Sequence, residues 1–182
     1  IGLWNCHALA AALKDHIEIE RTKEIITAYE GVFYNELTNL FRAKLGLFKA
    51  EKEDLKLVEE FLTWMKNNKK DYTNSFRELS ENKISFEDEE GKSWFRKYEN
   101  RLIKENIEEK KQKNLMMKSN PKYILRNYLA QEAIEAAQQG DFSALNKLLE
   151  VLKNPFTENK KYNEFSKAPP EWGKKLEISC SS

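Results

Sequence analysis

Cys180 is the residue whose type and position most invite chemistry. It lies near the end of the chain, behind the stretch Pro169-Pro170-Glu171-Trp172-Gly173. A cysteine kept only for its volume is usually buried, whereas a chain terminus is normally wet and accessible. Lys174 and Lys175 favour the thiolate, and an accessible thiolate suits thiol–disulfide exchange. The residues alone leave two readings open: an inert tail residue, or a redox-active thiol that reaches a partner cysteine.

Other reactive constellations are sparse. Six scattered glycines write no phosphate cradle of the GxxxxGK or GxGxxG kind. The two histidines, His7 and His16, form no HExxH, and no CxxC pair accompanies them. Cys6 and His7 are neighbours on a helix, so they diverge by about 100° and do not share a ligand sphere. Both histidines are therefore read as structural. Glu87-Asp88-Glu89-Glu90 reads as a solvated loop run. Glu59-Glu60 and Glu108-Glu109 have lysines nearby and read as surface pairs. General acid–base catalysis needs carboxylates in a dry cleft, and the sequence points to none. Lys110, Lys111, Lys113, Lys118, Lys122 and Arg126 make the best basic patch, but Glu105, Glu108 and Glu109 cancel most of its field. Arg126, Asn127 and Gln131 fall in the most apolar helical stretch and span more than one face. Buried polar groups need partners, so these three are expected to form a structural network that locks neighbouring helices. Contact with a ligand-binding lobe is the alternative.

The elements that would position these residues are helical. Glycine and proline are scarce, and alternating apolar–polar runs are nearly absent. A first helix is expected over Trp4 to His16 and a second from Glu20 to about Leu45. Ile25, Tyr29, Val32, Phe33, Leu37, Leu40, Phe41 and Leu45 in the second have the spacing of a buried stripe, and Gly46 follows as a stop. A third helix covers about Lys52 to Asn67, with Leu55, Val58, Phe61, Leu62 and Met65 inward. Asp71-Tyr72-Thr73 opens a shorter helix. Residues 82–91 read as a polar connection. Trp94 to Ile107 reads as a long helix that fades into the charged run Glu108 to Lys113. Asn120-Pro121 has the signature of a helix start, with Asn as cap and Pro at the first position. That helix would carry Ile124 to Ala137 and end at Gly140. A last helix carries Leu145, Leu148, Leu149 and Leu152 and stops at Asn154-Pro155. The expected organisation is a helical region over 1–155 and an extended tail over 156–182, pinned by Phe156, Tyr162, Phe165 and Trp172.

The totals narrow the function classes. The 182 residues suit one domain with a single core. With 31 basic and 30 acidic residues the formal net charge is +1, so no positive field draws in nucleic acid or an anionic membrane. Aromatic residues reach 12%, too many for a disordered chain. No window approaches the ~20 apolar residues of a membrane span, and Ile1-Gly2-Leu3-Trp4 does not read as a signal peptide. Two cysteines make no disulfide framework, so a reducing compartment is expected. The first residues are already apolar and there is no initial Met, which reads as a piece of a longer protein.

Several stretches carry a family resemblance. They are Asn120-Pro121-Lys122-Tyr123-Ile124-Leu125-Arg126-Asn127-Tyr128-Leu129-Ala130-Gln131-Glu132-Ala133-Ile134 followed by Gly140-Asp141, then Pro169-Pro170-Glu171-Trp172-Gly173 running into Ser179-Cys180-Ser181-Ser182, and Asp71 to Ser80. The opening Ile1-Gly2-Leu3-Trp4-Asn5 adds to them. Together they resemble the C-terminal end of the selenoprotein O family, known as YdiU in bacteria. The resemblance implies a protein-kinase-like core that binds ATP and Mg²⁺ and transfers AMP to Ser, Thr or Tyr hydroxyls of other proteins. The family's phosphate-binding, metal-binding and catalytic residues lie before the stretch matched here, so none is carried onto this sequence. The family's redox residue, selenocysteine or cysteine, falls at Cys180 and implies pairing with a cysteine of the upstream activation segment. Selenocysteine forms have Cys one position earlier, where this chain has Ser179.

The expectation is thus an all-α chain, the helical C-terminal region of a kinase-like protein adenylyltransferase. It would hold no ATP or Mg²⁺ itself, and its partners would be the upstream kinase-like domain and, through the parent, protein substrates. The setting would be cytoplasmic in a bacterium and mitochondrial in a eukaryote. The competing reading is an autonomous helical module that binds a partner through an apolar groove.

Overall fold

An aromatic stack organises the largest core. Phe61 lies flat on Trp94, with ring centroids 4.2 Å apart and planes 15° from parallel. It stacks on Trp64 as well and meets Phe76 edge-on at 5.1 Å. Trp94 continues the stack onto Tyr98. Aromatic rings bury large areas, and their polar handles need partners when buried. Here each has one: Trp94 Nε1 donates to the Leu57 carbonyl, Trp64 Nε1 to Asp88 Oδ2 and the Tyr98 hydroxyl to the Leu45 carbonyl.

The computed structural model describes residues 1–178. It is all-α, with no strand among the described residues. The helices are α1 (Gly2–Ala12), α2 (Ile19–Lys44), α3 (Asp54–Asn67), α4 (Tyr72–Ser80), α5 (Glu89–Glu105), α6 (Glu109–Ser119), α7 (Asn127–Gln138) and α8 (Ser143–Lys153). Two 3-10 turns follow, Lys160–Ser166 and Glu171–Gly173. The chain divides into two compact units, Ile1–Phe41 and Arg42–Ser182.

In the second unit α3 packs on α5, α4 on α6 and on α3, and α7 on α8. Val58, Phe61, Trp64 and Met65 of α3 are buried, as expected from its apolar period except for Trp64. Leu55 and Leu62, also expected inward, lie at the edge of the core: Leu55 is exposed and Leu62 half-buried. Tyr128, Leu129, Ala133 and Leu148 form the seam between α7 and α8, with Phe165 and Leu176 laid against it. Tyr123, Val151 and Tyr162 form an adjoining cluster.

Local chemistry sets several boundaries. Asp71 caps α4 by accepting from the Asn74 amide, as its sequence position predicts. Asp88 caps α5 through the Gly91 amide. The acidic run around it is therefore a helix start and not a loop alone. At Gly91 a Cβ would meet Trp64 Nε1 at 2.6 Å and Phe86 Cδ1 at 2.7 Å, so only glycine lets these rings approach. Asn106 takes the left-handed conformation, ends α5 and releases a separate α6, where the sequence suggests only a fading charged run. At Asn120-Pro121 the structure departs from the expected helix start. Proline disfavours helical backbone in the residue before it, Asn120 is extended, and α7 begins later, at Asn127.

The first unit is of another kind. α1 and the first half of α2 flank an open cleft lined by His7, Ala10, Ala11, Ile19, Thr22 and Ile26. Gly2 sits close to Tyr29, whose hydroxyl a Cβ there would strike. No residue from Ile1 to Phe41 is buried. Of the stripe expected to lie inward, only Leu45, just past the end of α2, is buried, while Tyr29, Leu37 and Phe41 are half-buried.

Candidate functional site: buried polar clusters

Burying charge is costly unless each group is paired and hydrogen-bonded. The second unit buries several charges and pairs each of them, although Arg77 Nη2 and Arg126 Nε are left without a hydrogen-bond partner. At the start of α3, Asp54 is 1% exposed and Glu105, the last residue of α5, is 0% exposed. Arg101 lies between them. Its Nε donates to Asp54 Oδ1 at 2.7 Å, its Nη1 to Glu105 Oε1 at 2.7 Å and its Nη2 to the Lys49 carbonyl at 2.7 Å. Glu105 also accepts from the Phe48 and Lys49 amides, and Asp54 from the Glu51 amide. The α2–α3 connection is thereby nailed to the end of α5. Burial lowers the Arg101 pKa, but its hydrogen bonds and charge contacts with Asp54 and Glu105 outweigh that and raise it.

A second cluster centres on Asn120, 0% exposed. Its Nδ2 donates to the Lys44 carbonyl and to Ser80 Oγ, both at 2.8 Å, and its Oδ1 accepts from Lys44 Nζ at 3.2 Å. Arg77 adds a 2.6 Å bond to Glu81 and donates to the Asn120 and Phe156 carbonyls. The ends of α2, α4 and α6 and the start of the tail meet at this point. Lys44 Nζ lies 5.1 Å from the Phe76 ring centroid and 5.6 Å from that of Tyr72. Burial pushes its pKa down.

Arg126, Asn127 and Gln131, the residues expected to form a network, are placed apart. Arg126 is buried and grips Asp71 with both terminal nitrogens, at 2.8 and 2.9 Å. The same Asp71 caps α4, so one carboxylate joins α4 to the N-terminus of α7. Asn127 instead donates to the Leu176 carbonyl and holds the tail. Gln131 donates to Glu135 along the surface of α7. Burial pushes the Asp71 carboxyl up. The Arg126 hydrogen bonds and charge, with the Asn74 and Thr73 amides, outweigh burial and hold it below the ordinary carboxylate range.

The tail is bound through residues 155–176. The Pro155 carbonyl accepts from the Lys122 and Tyr123 amides. The Tyr123 hydroxyl donates to the Asn159 carbonyl and accepts from its amide. Trp172 meets Tyr128 edge-on, and Gly173 lies so close that a Cβ would come within 2.8 Å of the Tyr128 Cβ. Cys180, the expected redox residue, lies outside the described residues. Cys6 is half-buried on α1.

Sequence reasoning missed the Asp54–Arg101–Glu105 cluster and the role of Asn120. Its only local signal was the four-residue spacing of Arg101 and Glu105, which surface pairs share. Chemically, these clusters position helices. Among the described residues no three His, Cys, Asp or Glu side chains come together as a metal site. A cleft of about 280 Å³ between α5 and α6 is lined by Leu79, Ile84, Phe95, Leu102 and Met116 beside Glu99 and Gln112. No described helix is long and apolar enough to cross a membrane.

Residues 1–153 match the family described as "Protein adenylyltransferase SelO". Over 192 residues the chain is 41% identical to the protein nucleotidyltransferase YdiU of Pseudoalteromonas atlantica, and 41% identical to that of Pectobacterium carotovorum. It is 41% identical over 197 residues to the YdiU of Vibrio cholerae. In each case the match covers 100% of this chain and 40% of the relative.

Two substitutions test the clusters. Arg101→Met removes the cation shared by two buried carboxylates, leaving Asp54 only the Arg42 guanidinium at 4.0 Å, and should cost about 3–5 kcal/mol in urea unfolding; a loss under about 1 kcal/mol contradicts the assignment. Arg126→Met should cost about 1.5–3 kcal/mol at neutral pH. Because the folded Asp71 pKa is depressed, its contribution is present above the unfolded pKa and is lost as pH falls through the folded value. The difference between wild type and Arg126→Met should therefore shrink as pH falls through and below the carboxylate range. A difference independent of pH in the same unfolding series contradicts the pairing.

Proposed function

The chain belongs to the protein adenylyltransferase SelO family, and from that membership we propose that it is the helical C-terminal part of an enzyme that moves AMP from ATP onto Ser, Thr or Tyr hydroxyls of other proteins. It spans about 40% of the length of the curated relatives it matches. In this reading ATP and Mg²⁺ are handled by a kinase-like part outside these residues, and the present stretch braces that part without supplying a reacting group.

One observation carries the reading. The buried charged side chains of the second unit, Asp54, Arg77, Arg101, Glu105 and Arg126, are each engaged in joining one helix to another or to a connection. A catalytic acid or base needs a proton it can exchange with substrate, which requires an open path and an unclamped carboxyl or imidazole. Here the buried carboxylates are occupied by a guanidinium and by backbone amides. That is the chemistry of a brace. The bacterial relatives favour a bacterial cytoplasm as its setting.

Full-length enzyme should transfer AMP from ATP to protein hydroxyls, read as adenylate mass on labelled peptides. Glu59→Gln, Glu87→Gln, Glu108→Gln and Glu109→Gln should each leave kcat within about twofold. A loss of ~10² or more at unchanged stability, the size of a general acid–base contribution, would place a catalytic group in this stretch and sink the reading.

The tail adds a regulatory proposal. Cys180 forms a disulfide with an upstream cysteine under oxidation, with two thiols losing two protons and two electrons to an oxidant such as a disulfide. In the full-length enzyme, Cys180→Ser should abolish the dependence of AMP transfer on reductant. Unaltered dependence in the variant removes Cys180 from the switch.

A further inference from the structure

The first unit lacks what makes a helix stable in water. Helices in proteins gain most of their stability by packing an apolar face. α2 is 26 residues long and buries none of them fully. Its exposed apolar side chains are nevertheless ordered. Ile25, Val32, Phe33 and Leu40 are 57%, 61%, 47% and 64% exposed, and with half-buried Tyr29 and Leu37 they recur at three- and four-residue intervals along one side. Tyr29 and Phe33 stack at 6.0 Å. Tyr29, Val32, Phe33, Leu37 and Leu40 line a groove of about 330 Å³ whose one charged member is Glu36. Contiguous apolar surface of this kind marks a contact site.

We propose that this stripe of α2 is the seat of the remainder of the same polypeptide, which covers it with an apolar surface of its own. The inference rests on the reading above that this chain is part of a longer enzyme. Two facts select that occupant. The matched relatives extend well beyond the aligned stretch, which is 40% of their length, so a covering body is available on the same chain. A tethered surface acts at an effective concentration near the millimolar range for short linkers, ahead of any free protein. The lining also disfavours an anionic partner such as nucleic acid, because the groove holds the Glu36 carboxylate and no cation. Its covering surface is therefore aliphatic and aromatic.

The test uses the full-length enzyme with the photoreactive residue benzoylphenylalanine in place of Val32 or of Leu40. Irradiation should form a crosslink within one polypeptide, to residues outside the 182-residue stretch. Amide hydrogen exchange across α2 should be at least about tenfold slower than in the unfolded chain. Val32→Glu with Leu40→Glu should remove that protection, and the milder Val32→Thr should reduce it if the charged variant fails to fold. Crosslinks only between two copies, or protection that rises with protein concentration, would overturn the proposal in favour of a dimer. No crosslink and no protection would overturn it outright. AMP transfer is read separately: intramolecular crosslinks in an enzyme without transfer activity support the docking and refute the catalytic reading.

Discussion

Arg101 is the constraint from which the second unit follows. Its fork takes Asp54 on one side and Glu105 on the other while its outer nitrogen reaches the Lys49 carbonyl. A planar guanidinium offers fixed directions, so the two carboxylates must come to it from set positions. That fixes the start of α3 against the end of α5 and the connection between α2 and α3 beside both. The aromatic stack then has a defined gap to fill, because Phe61 of α3 and Trp94 of α5 face each other along the same helix pair. Buried ion pairs are weak arguments for net stability and stronger ones for a unique arrangement. Here a shift of α3 along α5 would strand one of two buried anions.

The clusters around Asn120 and Asp71 extend this logic outward. Each lets one side chain serve two elements. Asp71 caps α4 and receives Arg126 from the start of α7. Asn120 closes α6 and bonds to both α2 and α4. Polar networks of this kind specify register, since each of their bonds has a direction as well as a partner. The tail is then laid over α7 and α8 by backbone bonds and by Phe165, Trp172 and Leu176.

Much of the helical layout was legible in the sequence, for a physical reason. Breakers are scarce, so the helices α3, α7 and α8 are readable from local pattern, although Leu55, Ile134, Leu145 and Leu149 of their apolar stripes are exposed. They part where a residue acts at long range. Asn120-Pro121 has a local cap signature, yet Asn120 is spent on Lys44 and Ser80, some 76 and 40 residues away in sequence. α6 has a mixed-charge sequence and buries only Gln112 and Met116, so its period is faint. Asp54 and Arg101 are 47 residues apart, and nothing local announces their meeting. Arg126 stands out in the sequence, but its partner Asp71, 55 residues away, reads there only as the start of a helix. The α2 stripe has the period of a buried face, yet periodicity reports an apolar side and not what lies against it.

The placement of the four tryptophans makes the chain its own optical instrument. Trp64 and Trp94 are 1% and 2% exposed inside the aromatic stack, while Trp4 and Trp172 are 71% and 55% exposed. Indoles shielded from water emit at shorter wavelength than wet ones, and only the wet ones meet a dissolved quencher such as iodide. One emission spectrum therefore contains two separable signals, a shielded one from the central stack and a wet one shared by the first helix and the tail. Melting of the stack would alter the first, and covering of α1 or release of the tail the second.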